Sequence, residues 1–174
     1  MSHPESPSPD LSPAGLKRAT AKRQKFLVTT CFLEPDVALE QTLNLAKLAA
    51  ENVILLHVVE ISRTELNPAV FASLEEIQTR LDAYQGRAHH RLESLAGPFR
   101  QAGIACTTSV RIGIPFEEIL KEAEVVGPDL IVVGATVGPA LGPFLLGGTA
   151  ERVARHAPCP VLVMRQPRQE TIPP

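Results

Sequence analysis

Two rhythms of apolar residues alternate along this chain. Short apolar runs rich in β-branched residues occur at KFLVTTC (25–31), VILLHVV (53–59), IACTTSVR (104–111), DLIVV (129–133) and PVLVM (160–164). Such runs, mostly unbroken by polar alternation, predict strands covered on both faces, as in a parallel sheet. Between them the apolar positions fall three and four apart, which predicts helices. Val37, Leu39, Leu43, Leu45, Ala46, Leu48 and Ala49 give a broad apolar face to a helix from about Asp36 to Glu51, with Asn52 as its stop. Leu74, Ile77, Leu81, Tyr84, Ala88, Leu92, Leu95 and Phe99 mark a long helix between about Pro68 and Ala102. Gly86 weakens its middle, Gly97-Pro98 is expected to kink or split it, and Gly103 is its candidate C-cap. A short helix follows from Phe116 to Val126, with Phe116, Ile119, Leu120 and Ala123 inward and Gly127-Pro128 at its end. The last helix opens at Thr149, with Val153 and Ala154 on one face, and Pro158 and Pro160 bracket the turn into the final strand.

The resulting order is β-α-β-α-β-α-β-α-β. It predicts a single doubly wound α/β domain, a parallel sheet with helices on both faces, and right-handed crossovers. Neither a second domain nor an internal repeat is legible. In such sheets ligands bind beyond the carboxyl ends of the strands, so the loops after Cys31, Val59, Arg111 and Gly134 form the expected functional rim.

Composition narrows the function classes. The formal net charge is −2 and the pI about 6.2, which gives no reason to expect nucleic acid or an anionic membrane. Aromatic residues are 4% with no Trp, too few for a base-stacking platform. No apolar run is long enough for a membrane span, and the start, MSHPESPSPDLSPAG, lacks the apolar core of a signal peptide. The three cysteines, Cys31, Cys106 and Cys159, follow no metal-ligand spacing, and their odd number fits a reducing, cytoplasmic setting. Residues 1–24 are Ser/Pro-rich and then basic, which reads as a disordered tail, alternatively a weak polyanion-binding arm. Residues 167–174 read as a flexible C-terminal tail.

The candidate chemistry concentrates after the fourth strand. Between Gly134 and Thr149 lie Gly138, Gly142, Gly147 and Gly148, and a glycine-rich connection into a helix start favours phosphate through free N–H groups and the helix dipole. Equally, glycines there can serve only the backbone geometry. The stretch GPFLLGGT nearly spells a P-loop, but Gly148 stands where its lysine would be, which argues against a hydrolytic P-loop. Thr149 reads first as a helix cap and second as a phosphate ligand. Cys31 sits where nucleophiles occur in some doubly wound enzymes, but no Arg follows at the phosphatase spacing and no His or Lys lies near in sequence to activate it. His57 reads as a satisfied core histidine. His89 and His90 read as solvated, with Glu93 the sole nearby metal-ligand partner, and His156 suits the last turn of its helix. Glu117, Glu118 and the run Lys121–Glu124 read as solvated helix surface. No catalytic constellation and no metal site emerge.

KFLVTTCF with a helix after EP, LLHVVE, RIGIPFEEIL, DLIVVG and LLGGTAERVARHAPCPVLVMR stand in order along residues 25–165. In these segments the chain resembles the universal stress protein family. The resemblance implies a five-stranded parallel sheet in the order 3-2-1-4-5, residence in the cytoplasm, and a homodimer through Val161, Leu162, Val163 and Met164. It also implies ATP binding, with Mg2+ or Mn2+, and at most slow hydrolysis. The family pattern G-2x-G-9x-G-[ST] places Gly134, Val137, Gly147 and Gly148 at its four positions. A one-residue slip through Gly138, Gly148 and Thr149 restores the second half. Val58 would present its backbone to adenine, and Val133 and Gly134 would floor the site. Where ATP-binding members carry an acid for the ribose hydroxyls this chain has Cys31, with Thr29 and Thr30 as partial substitutes. Two functions follow: a stress-response protein that binds ATP or another adenine nucleotide, or a dimeric interaction protein that binds no nucleotide and acts through an unknown protein partner. A redox sensor using Cys31 is a third, weaker reading.

Overall fold

The computed structural model describes residues 24–32, 37–60, 73–135 and 148–165. Five strands, β1 (Gln24–Thr29), β2 (Ala50–Val59), β3 (Ala105–Ile112), β4 (Leu130–Ala135) and β5 (Val161–Arg165), form one parallel sheet in the order β3-β2-β1-β4-β5. β1 is central, with Phe26, Leu27 and Val28 opposite Val53, Ile54 and Leu55 on one side and Leu130, Ile131 and Val132 on the other. The strand period of two sends Phe26 and Val28 into one core and Leu27 into the other, and all three are fully buried.

Four helices cover the two faces. α1 (Val37–Ala49) and α2 (Leu74–Gln101) bring Leu39, Ala46, Leu92, Ala96 and Phe99 onto the face of Phe26 and Leu55. α3 (Pro115–Val126) and α4 (Gly148–His156) bring Ile119, Ala123, Ala150 and Val153 onto the face of Leu27 and Leu56. The doubly wound α/β architecture expected from the sequence is therefore the observed one.

Local signals fix the helix ends. Ser73 caps α2, its hydroxyl accepting from the Glu76 amide at 3.2 Å. At the other end Gly103 takes a left-handed φ of 77°, and the amides of Gly103 and Ile104 bond back to Arg100 and Phe99 at 3.0 and 3.1 Å. Pro115 opens α3 and Gly127, with φ 57°, closes it.

Several expectations need correction. β2 starts at Ala50, so Ala50 and Glu51 belong to the strand and Asn52 is no helix stop. α2 runs unsplit through Gly97 and Pro98. Pro98 stands within four residues of the helix end, so the amide hydrogen bond it removes belongs to the last turn. Leu48 and Leu74 are each 85% exposed, although the apolar spacing turns them inward. Ala154 is exposed while Val153 is fully buried. α4 begins at Gly148, which puts Thr149 inside the first turn and removes it as the N-cap. The terminal tails, beyond residues 24–165, lie outside the described residues.

Candidate functional site

Strand order decides where a ligand can enter. β1 and β4 are neighbours, yet the chain runs from β1 to β2 on one side and from β4 to β5 on the other. The connections from their carboxyl ends therefore diverge at the switch point where such sheets bind ligands in a crevice. β1 delivers Thr29, Thr30 and Cys31 to that mouth, β4 delivers Val133 and Gly134, and β2 delivers Val58. Thr30 is buried; its amide bonds the Leu56 carbonyl at 3.0 Å, and its hydroxyl accepts from the Phe32 amide at 3.1 Å. Cys31 is exposed. Val133 is buried, whereas Gly134 is exposed, and a Cβ placed on it would meet nothing within 4 Å among the described residues.

Val58 is placed by register. It lies opposite Arg111 of β3, and its neighbour Val59 accepts the Gly113 amide at 3.1 Å. Backbone groups alternate between the two neighbouring strands, so those of Val58 face the β1 side, past the last β1–β2 bond at Thr30. Gly148 and Thr149, both exposed, start α4 on the carboxyl side of the sheet, where free helical amides favour an anion. Val137, Gly138 and Gly147 lie outside the described residues. The structure thus gathers Thr30, Cys31, Val58, Val133 and Gly134 at one mouth, and Gly148 and Thr149 open the helix that follows β4.

One constellation at the mouth was invisible in the sequence. Phe32, just beyond Cys31, has φ 60°, a left-handed conformation seldom taken by a bulky side chain. Its ring stacks on His57 with centroids 3.9 Å apart and an interplanar angle of 22°. The Arg91 guanidinium of α2 lies 4.7 Å from the centre of the same ring, and its Nη2 donates to the Phe32 carbonyl at 2.9 Å. His57 Nδ1 donates to the Thr30 carbonyl at 2.8 Å, which confirms it as a satisfied, half-buried histidine. Burial, with Arg91 acting the same way, pushes the His57 pKa below its ordinary 6.5 against the opposing effect of the Thr30 bond.

Charged side chains elsewhere are engaged with one another. Arg111 of β3 pairs through Nε with Glu122 and lies 3.6 Å from Glu118, which also takes Lys121. Glu118 and Glu122 are buried, which corrects their reading as solvated surface. Glu93 bonds Arg100 at 2.7 Å and Thr108 at 2.6 Å, and these bonds hold its carboxyl down at about 2. His89 and His90 are exposed, and His156 Nδ1 donates to the Arg152 carbonyl at 2.9 Å in the last turn of α4. Among the described residues no group of three or more His, Cys, Asp or Glu is placed to hold a metal ion, and no described helix is long and apolar enough to cross a membrane.

Comparison with known proteins decides the family. Residues 22–165 match the family model of the universal stress proteins. The chain belongs to the universal stress protein family. Universal stress protein MJ0531 of Methanocaldococcus jannaschii is 36% identical over 138 residues, covering 78% of this chain and 79% of that protein. The solved structure of MJ0577 from the same organism is 32% identical, with a TM-score of 0.67 over 83% of this chain and 97% of that one. UspA from Lactobacillus plantarum is 28% identical, with a TM-score of 0.68 over 83% and 99% of the two chains. The strand order 3-2-1-4-5 implied by the resemblance is the order found.

Proposed function

We propose that this universal stress protein binds ATP or another adenine nucleotide as a regulatory ligand, in the crevice between β1 and β4. The observation that carries this reading is the switch point of the sheet, where the carboxyl ends of β1 and β4 lie side by side. Buried Val133 would floor the site, Gly134 would bring no side chain to it, and exposed Gly148 and Thr149 start the helix that follows. Adenine would lie against Val58, the ribose near Thr29, Thr30 and Cys31, and the phosphates toward α4 and the segment carrying Val137, Gly138 and Gly147. Mg2+ or Mn2+ would arrive with the phosphates. On this reading the protein acts by binding, in the cytoplasm, with slow hydrolysis at most. A universal stress protein of Arabidopsis thaliana has AMP bound; at 22% identity and a TM-score of 0.57 its likeness is one of fold alone.

A second reading is favoured by Cys31. A cysteine sulfur is a weak acceptor for ribose hydroxyls, and Thr30 Oγ1 is already engaged by the Phe32 amide. On that reading the chain is a dimeric interaction protein that binds no nucleotide. β5 supports the dimer in either case. It pairs with β4 alone among the described strands, and Val161, Leu162, Val163 and Met164 are only half-buried on an open edge.

Calorimetry with MgATP and MnATP, beside mass spectrometry of the purified protein, separates the two readings. Saturable binding or a co-purified adenine nucleotide supports the first; no binding at millimolar ligand leaves the second. Light scattering of the chain and of Val163→Lys tests the β5 dimer, a monomer in the variant alone being the expected result.

A further inference from the structure

A left-handed residue at a strand end is ordinarily a glycine, because only glycine takes positive φ without steric cost. Here the position is Phe32, at φ 60°, and three elements converge to hold it. β1 supplies Thr30, whose hydroxyl accepts the Phe32 amide at 3.1 Å. β2 supplies His57, stacked on the ring at 3.9 Å and bonded to the Thr30 carbonyl at 2.8 Å. α2 supplies Arg91, which lies over the ring and donates to the Phe32 carbonyl at 2.9 Å. Strained conformations persist only where their surroundings over-determine them, and they gather at ligand clamps. The turn so fixed is the one that carries Cys31 into the mouth of the crevice.

We propose that Phe32, His57 and Arg91 are positioning residues of the nucleotide site, a clamp that sets the Thr30–Phe32 turn so that its backbone and Cys31 meet the ribose. The proposal rests on the nucleotide reading given above. None of the three need touch the ligand; each acts through the turn. The clamp also ties α2 to the site, because Arg91 is its contribution from that helix. A fold that merely needed the chain to reverse here would be served by glycine without the ring, the imidazole or the guanidinium.

Phe32→Gly is the deciding variant, because it relieves the backbone strain while deleting the stack. Full-length Phe32→Gly keeps its resistance to urea, yet its affinity for MgATP falls at least about tenfold, the scale of coupling within a contact network. Protection of the Thr30 amide against hydrogen exchange also falls at least about tenfold, as local opening becomes cheaper. Phe32→Tyr, which keeps the ring, retains both properties, and Arg91→Met loses both. The proposal is overturned if Phe32→Gly binds MgATP as the unsubstituted chain does. Failure of the unsubstituted chain to bind MgATP sinks the nucleotide reading and the clamp's role in it. The exchange data then report separately whether the clamp holds the turn, and equal Thr30 protection in Phe32→Gly and the unsubstituted chain would remove that as well.

Discussion

Arg111, on β3, is paired through its guanidinium Nε with the carboxylate of Glu122, on α3. The Glu122 side chain is 8% exposed and that of Arg111 28%. Glu118 shares the arrangement, 3.6 Å from Arg111 and bonded on its other side to Lys121. A charge removed from water needs its partner, and deleting one member strands the other. Arg111→Ala should therefore lower stability by about 1–3 kcal/mol, below the fully buried case because the guanidinium is partly solvated. Urea denaturation of Arg111→Ala, Glu122→Ala and the double variant checks this. The double variant should cost clearly less than the sum of the singles, and additivity would mean the pair is not coupled.

His57 makes stability depend on pH. Its folded pKa is held below 6.5, chiefly by burial, so the folded chain binds this proton less readily than the unfolded chain does. The stability it contributes is complete above 6.5 and is lost as pH falls through the lower folded value. Denaturation midpoints should accordingly drop as pH falls below 6.5, after the carboxylate contributions are matched by a control. In His57→Asn, whose amide can still donate to the Thr30 carbonyl, that part of the slope should vanish. An unchanged slope in the variant would assign the effect to other groups.

Hydrophobic rhythm alone located all five strands and four helices, because burial on both faces of a sheet writes unbroken apolar runs and burial on one face of a helix writes a 3.6 period. What it could not write is how far each helix is underlain by sheet. α2 has 28 residues, about 42 Å at the helical rise, whereas the six residues of β1 span about 20 Å. Only Ala88, Leu92, Ala96 and Phe99 are buried along it, while Leu74, equally apolar and in phase, stands in water. Charge was misread for a related reason. Glu118 and Glu122 look like solvent-facing acids until a strand brings Arg111 beneath them. Phe32 gave no signal at all, since propensity argues against a bulky residue at positive φ, and the contacts that hold it come from β2 and α2.

Glu93 offers a titration free of ligand. Its carboxylate accepts from Arg100 and from the Thr108 hydroxyl, and its pKa is lowered from 4.5 to about 2. The stabilisation it gives is present above 4.5 and is lost as pH falls through about 2. Carboxyl-detected NMR should place the Glu93 midpoint well below those of the other glutamates. Thr108→Val removes the 2.6 Å bond and should move that midpoint upward while Arg100 remains in place. A midpoint indifferent to Thr108→Val would leave Arg100 as the whole cause.

Gly134 allows the nucleotide site to be closed without disturbing the fold. It lies in β4 opposite Met164, is exposed, and among the described residues nothing stands where a Cβ would go. Valine suits a strand, and replacing a strand glycine should stabilise by about 0.5–1 kcal/mol. The added isopropyl group would nonetheless occupy the mouth between β4 and the Cys31 turn, where the ribose and phosphates are proposed to lie. Overpacking of that kind costs about 1–3 kcal/mol, so MgATP affinity in Gly134→Val should fall by about fivefold to about 150-fold. Calorimetry and urea denaturation on the same sample separate the two effects. A variant that is as stable as the parent and still binds MgATP normally would move the nucleotide away from the β1–β4 crevice.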